Sequence, residues 1–199
     1  MQIFENRNLM LESLPKNSVI AELGVFKGEF SKIIYDICQP SKLYLVDLFS
    51  GNCGSGDKDG QNFQFAQLED EMINIQDYFK DKNVDIIKST TIDFFLSIED
   101  ESLDMVYIDA DHSYQAVMID LLFSYKKVKT NGLICGHDYI HKTNIAVDDF
   151  SEVGLEGLIS GYDYIYQAKI AVDDFCRSLG LEIEILTQDG CPSFCIIKK

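Results

Sequence analysis

The chain has 199 residues, 46% of them apolar, and 17 Lys+Arg against 33 Asp+Glu give it a formal charge of −16. That length supports a single domain (1–199) with a full hydrophobic core, burying roughly 70% of its unfolded surface without disulfides or a structural metal. The acidic balance argues against nucleic-acid and anionic-membrane partners, which demand clustered Lys and Arg. The six cysteines form no CxxC pair, and there is neither a signal-type N-terminus nor a run of 18 apolar residues, so a reducing, cytoplasmic setting is expected.

Residues 1–17 form an N-terminal segment outside the periodic pattern. Val19 to Leu23 then reads as a buried strand, followed by a helix from Phe30 to Cys38 and a second strand from Leu43 to Val46. Residues 51–82 read as a lid: a Gly-, Asp- and Asn-rich loop followed by a helix with Leu68, Met72, Ile75 and Phe79 on one face. Strands follow at Val84 to Ile87, Leu103 to Ile108 and Leu133 to Cys135. Between the last two, Tyr114, Val117, Met118, Leu121, Leu122, Tyr125 and Val128 form the stripe of a helix over Ser113 to Val128. Leu181 to Leu186 and Phe194 to Ile197 close the chain's pattern as an antiparallel hairpin. Short apolar strands alternating with amphipathic helices predict an α/β doubly wound, Rossmann-like sheet, mostly parallel.

One segment is duplicated. Asn131 to Phe150 aligns with Glu156 to Phe175 at an offset of 25, with 13 of 20 positions identical. Two copies are too few for a solenoid, so residues 131–156 and 157–182 read as a tandem strand-helix unit. The first copy directly follows a helix and carries His137 where the second has Tyr162. It is therefore expected to supply the fifth strand, with the second copy an insertion leading through a helix (Ala168, Ala171, Val172, Phe175, Leu179) to the hairpin.

The turn Glu22-Leu-Gly24-Val25-Phe26-Lys-Gly28 lies between a strand and a helix, where glycines let the backbone approach a nucleotide-like cofactor. A nicotinamide fingerprint would need a third glycine. Asp47 ends the second strand, where a carboxylate can accept both ribose hydroxyls or cap the next turn. Ser89-Thr90-Thr91 is either a helix cap or a contact to a base edge. The fourth strand ends in Asp109-Ala-Asp111-His112 and the fifth in His137-Asp138, and in an open sheet both ends reach one crevice. Asp109 and Asp138 offer hard oxygens suited to Mg²⁺ or Mn²⁺, while His137 biases the set toward Mn²⁺, Fe²⁺ or Zn²⁺. His112 has the ordinary pKa of a general base near neutrality; the competing role is to orient Asp109. His141 is left over and reads as a surface residue.

These motifs, with Leu45-Val-Asp47, Val106-Tyr-Ile-Asp109 and Gly132-Leu-Ile-Cys-Gly-His137-Asp138-Tyr139 in order, resemble class I S-adenosylmethionine-dependent methyltransferases. The small O-methyltransferases of the macrocin (macrolide-sugar) type are the most similar group. The resemblance implies a seven-stranded sheet with an antiparallel last strand. It implies a cofactor-binding set of Glu22, Gly24, Val25, Phe26, Gly28, Asp47, Leu48, Ser89, Thr90 and Asp109. It also implies a divalent metal (Mg or Mn) on Asp109, His137 and Asp138, with His137 departing from the family's acidic pair, and His112 and Asp109 as the catalytic residues. The acceptor would be a hydroxyl of a small molecule, sugar or phenol, and a homodimer fits the family. Two alternatives carry different chemistry: a methyltransferase-fold binding protein without activity, and a metal-dependent oxygenase on the same fold.

Overall fold

The computed structural model describes residues 1–50, 52–55, 64–140 and 155–199. In chain order the elements are β1 (Gln2–Phe4), α1 (Arg7–Ser13), β2 (Val19–Leu23), α2 (Glu29–Cys38), β3 (Lys42–Asp47), β4 (Asn52–Ser55), β5 (Gln64–Gln67) and α3 (Leu68–Phe79). There follow β6 (Val84–Lys88), α4 (Thr91–Ser97), β7 (Leu103–Ile108), α5 (Tyr114–Lys127), β8 (Val128–Gly136), α6 (Leu155–Leu179), β9 (Ile183–Thr187) and β10 (Phe194–Ile197).

Eight strands form one sheet in the order β1-β9-β10-β8-β7-β2-β3-β6. All neighbours are parallel except β10, which runs antiparallel to both β8 and β9. The hairpin expected near the end of the chain is thus β9–β10, with β10 inserted between its partner and β8. The eighth strand is β1, from the segment that shows no period: Gln2, Ile3 and Phe4 pair with Ile185, Leu186 and Thr187.

The central strands β2 and β7 are buried on both faces, which is why they read as near-continuous apolar runs rather than alternating ones. In β7, Met105 and Tyr107 face a core built with Met10, Leu11, Ile34, Ile75 and Phe79 from α1, α2 and α3. Leu103, Val106 and Ile108 face the other core, with Phe94, Val117, Leu121, Val172 and Phe175 from α4, α5 and α6. Ser113 caps α5 by accepting from Ala116 N–H, and Lys126 and Lys127 sit in its last turn, where the helix dipole favours cations. No helix among the described residues is long and apolar enough to cross a membrane.

The two duplicated copies take different structures. In the first, residues up to Gly136 form β8; in the second, Glu156 to Phe175 lies wholly within α6. The second unit is therefore not the strand-helix unit expected for 157–182. The physical reason is that β8 is already paired on both sides, by β7 and β10. The second copy's Gly-Leu-Ile-Ser run has no sheet neighbour to take its hydrogen bonds, and a helix satisfies them locally. His141 and the Gly-rich run at 56–63 within the expected lid lie outside the described residues. The helix expected in that segment is α3, whose Ile75 and Phe79 are buried in the core.

Candidate active site

The chain proceeds β2, β3, β6 toward one edge of the sheet and β7, β8 toward the other, so the order reverses between β2 and β7. At such a switch point the loops after the two strands part and leave a crevice. Gly24 takes φ +86°, and a Cβ there would lie 2.0 Å from the carbonyl oxygen of Asp109, so only glycine lets the loop after β2 cross the end of β7. Gly28, at φ +72°, starts α2; a Cβ would meet the Ile75 side chain at 2.7 Å.

Asp47 braces this turn. Its Oδ2 accepts from Val25 N–H at 2.8 Å and Phe26 N–H at 3.0 Å, while Oδ1 accepts from Phe49 N–H at 2.7 Å. The strand-end carboxylate therefore fixes the loop geometry and still faces the crevice. Phe26 is held at a left-handed φ of 52° with its side chain half-exposed, standing where two clefts meet.

The first cleft, about 520 Å³, is lined by Gly24, Phe26, Asp47, Leu48, Ser89, Thr90, Asp109 and the α5 residues Ala116, Ile119 and Asp120, among others. The second, about 350 Å³, is lined by Arg7, Glu22, Gly24, Val25, Phe26, Lys27, Phe30, Asp109 and His112, among others. Gly24, Phe26, Asp109 and Ala110 belong to both. Of the residues expected to bind a cofactor, all but Gly28 line this double cleft; Gly28 shapes it from behind. Thr90 also caps α4, accepting from Asp93 N–H at 3.0 Å, so the capping role stands beside its place on the wall.

At the junction, two carboxylates and two imidazoles interleave. His112 lies with Nε2 3.4 Å from Asp109 Oδ1 and Nδ1 3.1 Å from Asp138 Oδ2. His137 Nδ1 lies 3.1 Å from Asp138 Oδ1 and 3.7 Å from Asp109 Oδ1. Burial alone would raise the Asp109 pKa, but hydrogen bonds and charge from His112 and His137 overcome it and hold the group at about 2. Burial would likewise lower His137, yet its hydrogen bonds to Asp109 and Asp138 lift it to about 9. The bond to Asp109 raises His112 against the opposing pull of burial. Asp138 sits at a left-handed φ of 56° at the end of β8, buried to 5% exposure.

The donor atoms of Asp109, His137 and Asp138 lie within 4.8 Å of one another, so these three can converge on one divalent cation. Two carboxylate oxygens and an imidazole suit Mn²⁺, Fe²⁺ or Zn²⁺ better than an all-oxygen Mg²⁺ site. Loading such a site would displace the proton that His137 holds between the carboxylates.

Two site residues escape a reading of the sequence. Asp120 is 2% exposed on the first cleft's wall, with burial raising its pKa to about 6 against a 2.6 Å hydrogen bond from Thr91 Oγ1. Its signal was a carboxylate on the buried face of α5, three residues after Val117. Arg7 belongs to α1, and no local pattern ties it to the crevice.

A mostly parallel sheet with a reversed order at its centre, a glycine turn after β2 and an inserted antiparallel strand define a Rossmann-like methyltransferase fold. Residues 21–139 match the methyltransferase domain family, and the chain belongs to that family. Fibrillarin from Aeropyrum pernix, solved with natively bound S-adenosyl-L-methionine, is 14% identical at a TM-score of 0.58, over 96% of this chain and 73% of that one. The N-methyltransferase NodS from Bradyrhizobium japonicum is 9% identical at 0.60, over 96% and 92%. A SAM-dependent methyltransferase from Aquifex aeolicus is 11% identical at 0.57, over 97% and 88%. No curated protein sequence matches the chain.

Proposed function

We propose that the protein transfers a methyl group from S-adenosylmethionine to a hydroxyl of a small molecule, sugar or phenol, with a divalent metal held by Asp109, His137 and Asp138. The observation that carries this reading is the placement of Asp109: it lines both clefts and lies within 3.4 Å of an imidazole. The first cleft is shaped for the adenosine, with Asp47 and Leu48 at the ribose and Ser89 and Thr90 toward the base. Glu22, Gly24 and Val25 line the methionine end.

When bound, the cofactor supplies an electrophilic methyl on sulfur, and the metal would lower the pKa of an acceptor hydroxyl. The chain's own residues supply position and proton transfer. Gly24 and Phe26 set the floor at the junction, where acceptor oxygen, methyl carbon and sulfur must align for in-line displacement. His112 takes the hydroxyl proton, and Asp109 and Asp138 on either side of its ring stabilise the imidazolium that results. The acceptor oxygen–methyl bond forms as the methyl–sulfur bond breaks, leaving S-adenosylhomocysteine and an ether. His112 must be neutral to act, and its raised pKa moves the rise in rate to a pH above the ordinary imidazole value of 6.5.

The test is calorimetric titration of S-adenosylhomocysteine with EDTA, Mg²⁺ or Mn²⁺, followed by mass-spectrometric detection of methylated products from a panel of sugars and phenols. Binding by the parent and by Asp109→Asn, with transfer lost only in the variant, is expected. Methylation of amines but not hydroxyls would overturn the acceptor class, and no binding under any condition would overturn the cofactor.

A further inference from the structure

We propose that Arg7 is the anchor for the carboxylate of the cofactor's methionine tail, an inference that rests on the cofactor reading above. The cleft that meets the adenosine side at Gly24 and Asp109 is lined by the acidic side chains of Glu22, Glu29 and Asp109, and its fixed cations among the described residues are Arg7 and Lys27. An amino-acid tail presents one ammonium and one carboxylate. The acidic groups serve the first, and the second needs a cation set back from the mouth.

Arg7 has that position. Its guanidinium carbon lies 4.1 Å from the centroid of the Phe30 ring, which in turn packs at 4.6 Å on the buried Tyr107 ring. This aromatic shelf fixes the plane of the guanidinium, and a fixed fork loses less freedom on binding a carboxylate than a mobile one. Burial raises the pKa values of both Glu22 and Tyr107, and the charge of Arg7 reaches the interior far enough to oppose that rise in part. Among the described residues no carboxylate pairs with the guanidinium within 4.0 Å, although 33 acidic residues are available in the chain. Lys27 instead lies 5.5 Å from the exposed Phe26 ring at the rim.

The cost of placing Arg7 here is visible in its own helix. It occupies the first turn of α1, where the helix dipole disfavours a cation and no acidic residue compensates. The backbone is nevertheless tied down: Arg7 N–H donates to Asp189 Oδ2 at 3.3 Å, and Asn6 caps the helix by accepting from Leu9 N–H. β1, immediately before it, is pinned to β9.

The experiment compares S-adenosylhomocysteine with its decarboxylated analogue, which keeps sulfur and amine and lacks only the carboxylate, on the parent, Arg7→Gln and Arg7→Lys. For the parent, losing the carboxylate is expected to weaken binding by roughly 10- to 100-fold, the worth of a charge-assisted pair. For Arg7→Gln the two ligands should bind almost equally, and Arg7→Lys, which keeps charge and stem but loses the fork, should fall between. Should the parent bind S-adenosylhomocysteine and every variant preserve its preference for the carboxylate, the Arg7 assignment fails while the cofactor reading stands. If the parent binds neither ligand, the cofactor reading itself is wrong.

Discussion

Glu22 is a carboxylate enclosed by protein, 1% exposed, with its Oε2 accepting from the Ser31 hydroxyl at 2.5 Å. Burial, opposed by that hydrogen bond, raises its pKa from 4.5 to about 8. The folded state thus binds this proton more tightly than the unfolded chain does. No stability is lost below pH 4.5, the loss grows as pH rises, and it levels off above about 8; at pH 7 it is on the order of 3 kcal/mol. Glu22→Gln keeps an acceptor for Ser31 and removes the ionisable group. It should raise the melting temperature at pH 8 and change it little at pH 4.5, and an equal shift at both pH values would show that the carboxyl is not held neutral. The same substitution should weaken S-adenosylhomocysteine binding, because the tail's ammonium would lose its buried acid.

At the scale of elements, the duplicated unit shows what local sequence leaves open. Thirteen identical residues in 20 occur in both copies, yet one run forms β8 and its twin lies in α6. The second copy has Glu156, Ala168 and Lys169 where the first has Asn131, Thr143 and Asn144, which favours helix there, and the place between β7 and β10 is already taken by the first. The strands at Val19–Leu23, Leu103–Ile108 and Phe194–Ile197 were legible because burial on both faces leaves a mostly apolar run, interrupted only by Glu22 and Asp104. β1 and α1 were not: β1 is three residues long and largely exposed, and the importance of Arg7 arises from contacts with residues far along the chain. In the second half of α6, Ala168, Ala171, Val172 and Phe175 are buried. Tyr139, just beyond β8, donates to Asp173 Oδ1 at 2.6 Å and lies 4.6 Å from Lys169 Nζ, so the chain leaving the sheet is already beside that half. Deleting residues 141–165 joins Ile140 to Tyr166 and keeps one copy of the unit, including His137 and Asp138. The shortened chain should fold cooperatively with a melting temperature at or above the parent's, since a shorter connection costs less to close. Loss of cooperative unfolding would show that the first half of α6 is part of the core.

For the whole molecule, a formal charge of −16 on 199 residues means self-repulsion in the compact state, which monovalent salt screens. The melting temperature should rise with NaCl. Mn²⁺ at matched ionic strength should add a further increment by binding the folded state alone, and Asp138→Asn should abolish that increment while leaving the NaCl effect intact. An increment that survives in the variant would place the ion elsewhere. The candidate site was legible as a set of strand ends, because a parallel sheet brings the residues after β7 and β8 to one rim. Its electrostatics were not, since the opposed shifts of Asp109 and His137 depend on distances of a few ångströms.

The position of β10 sets an order in time. It is later in sequence than every strand it joins, and it fills the gap between β8 and β9. While the chain is being synthesised, β2, β3, β6, β7 and β8 can assemble in turn, but β9 and β1 have no hydrogen bonds to that sheet until β10 arrives. Asp189, which steadies Arg7, lies in the connection between β9 and β10. The cleft wall carrying Asp47, Ser89 and Asp109 can therefore assemble early, whereas the backbone bond that steadies Arg7 forms only at the final step of closing the sheet.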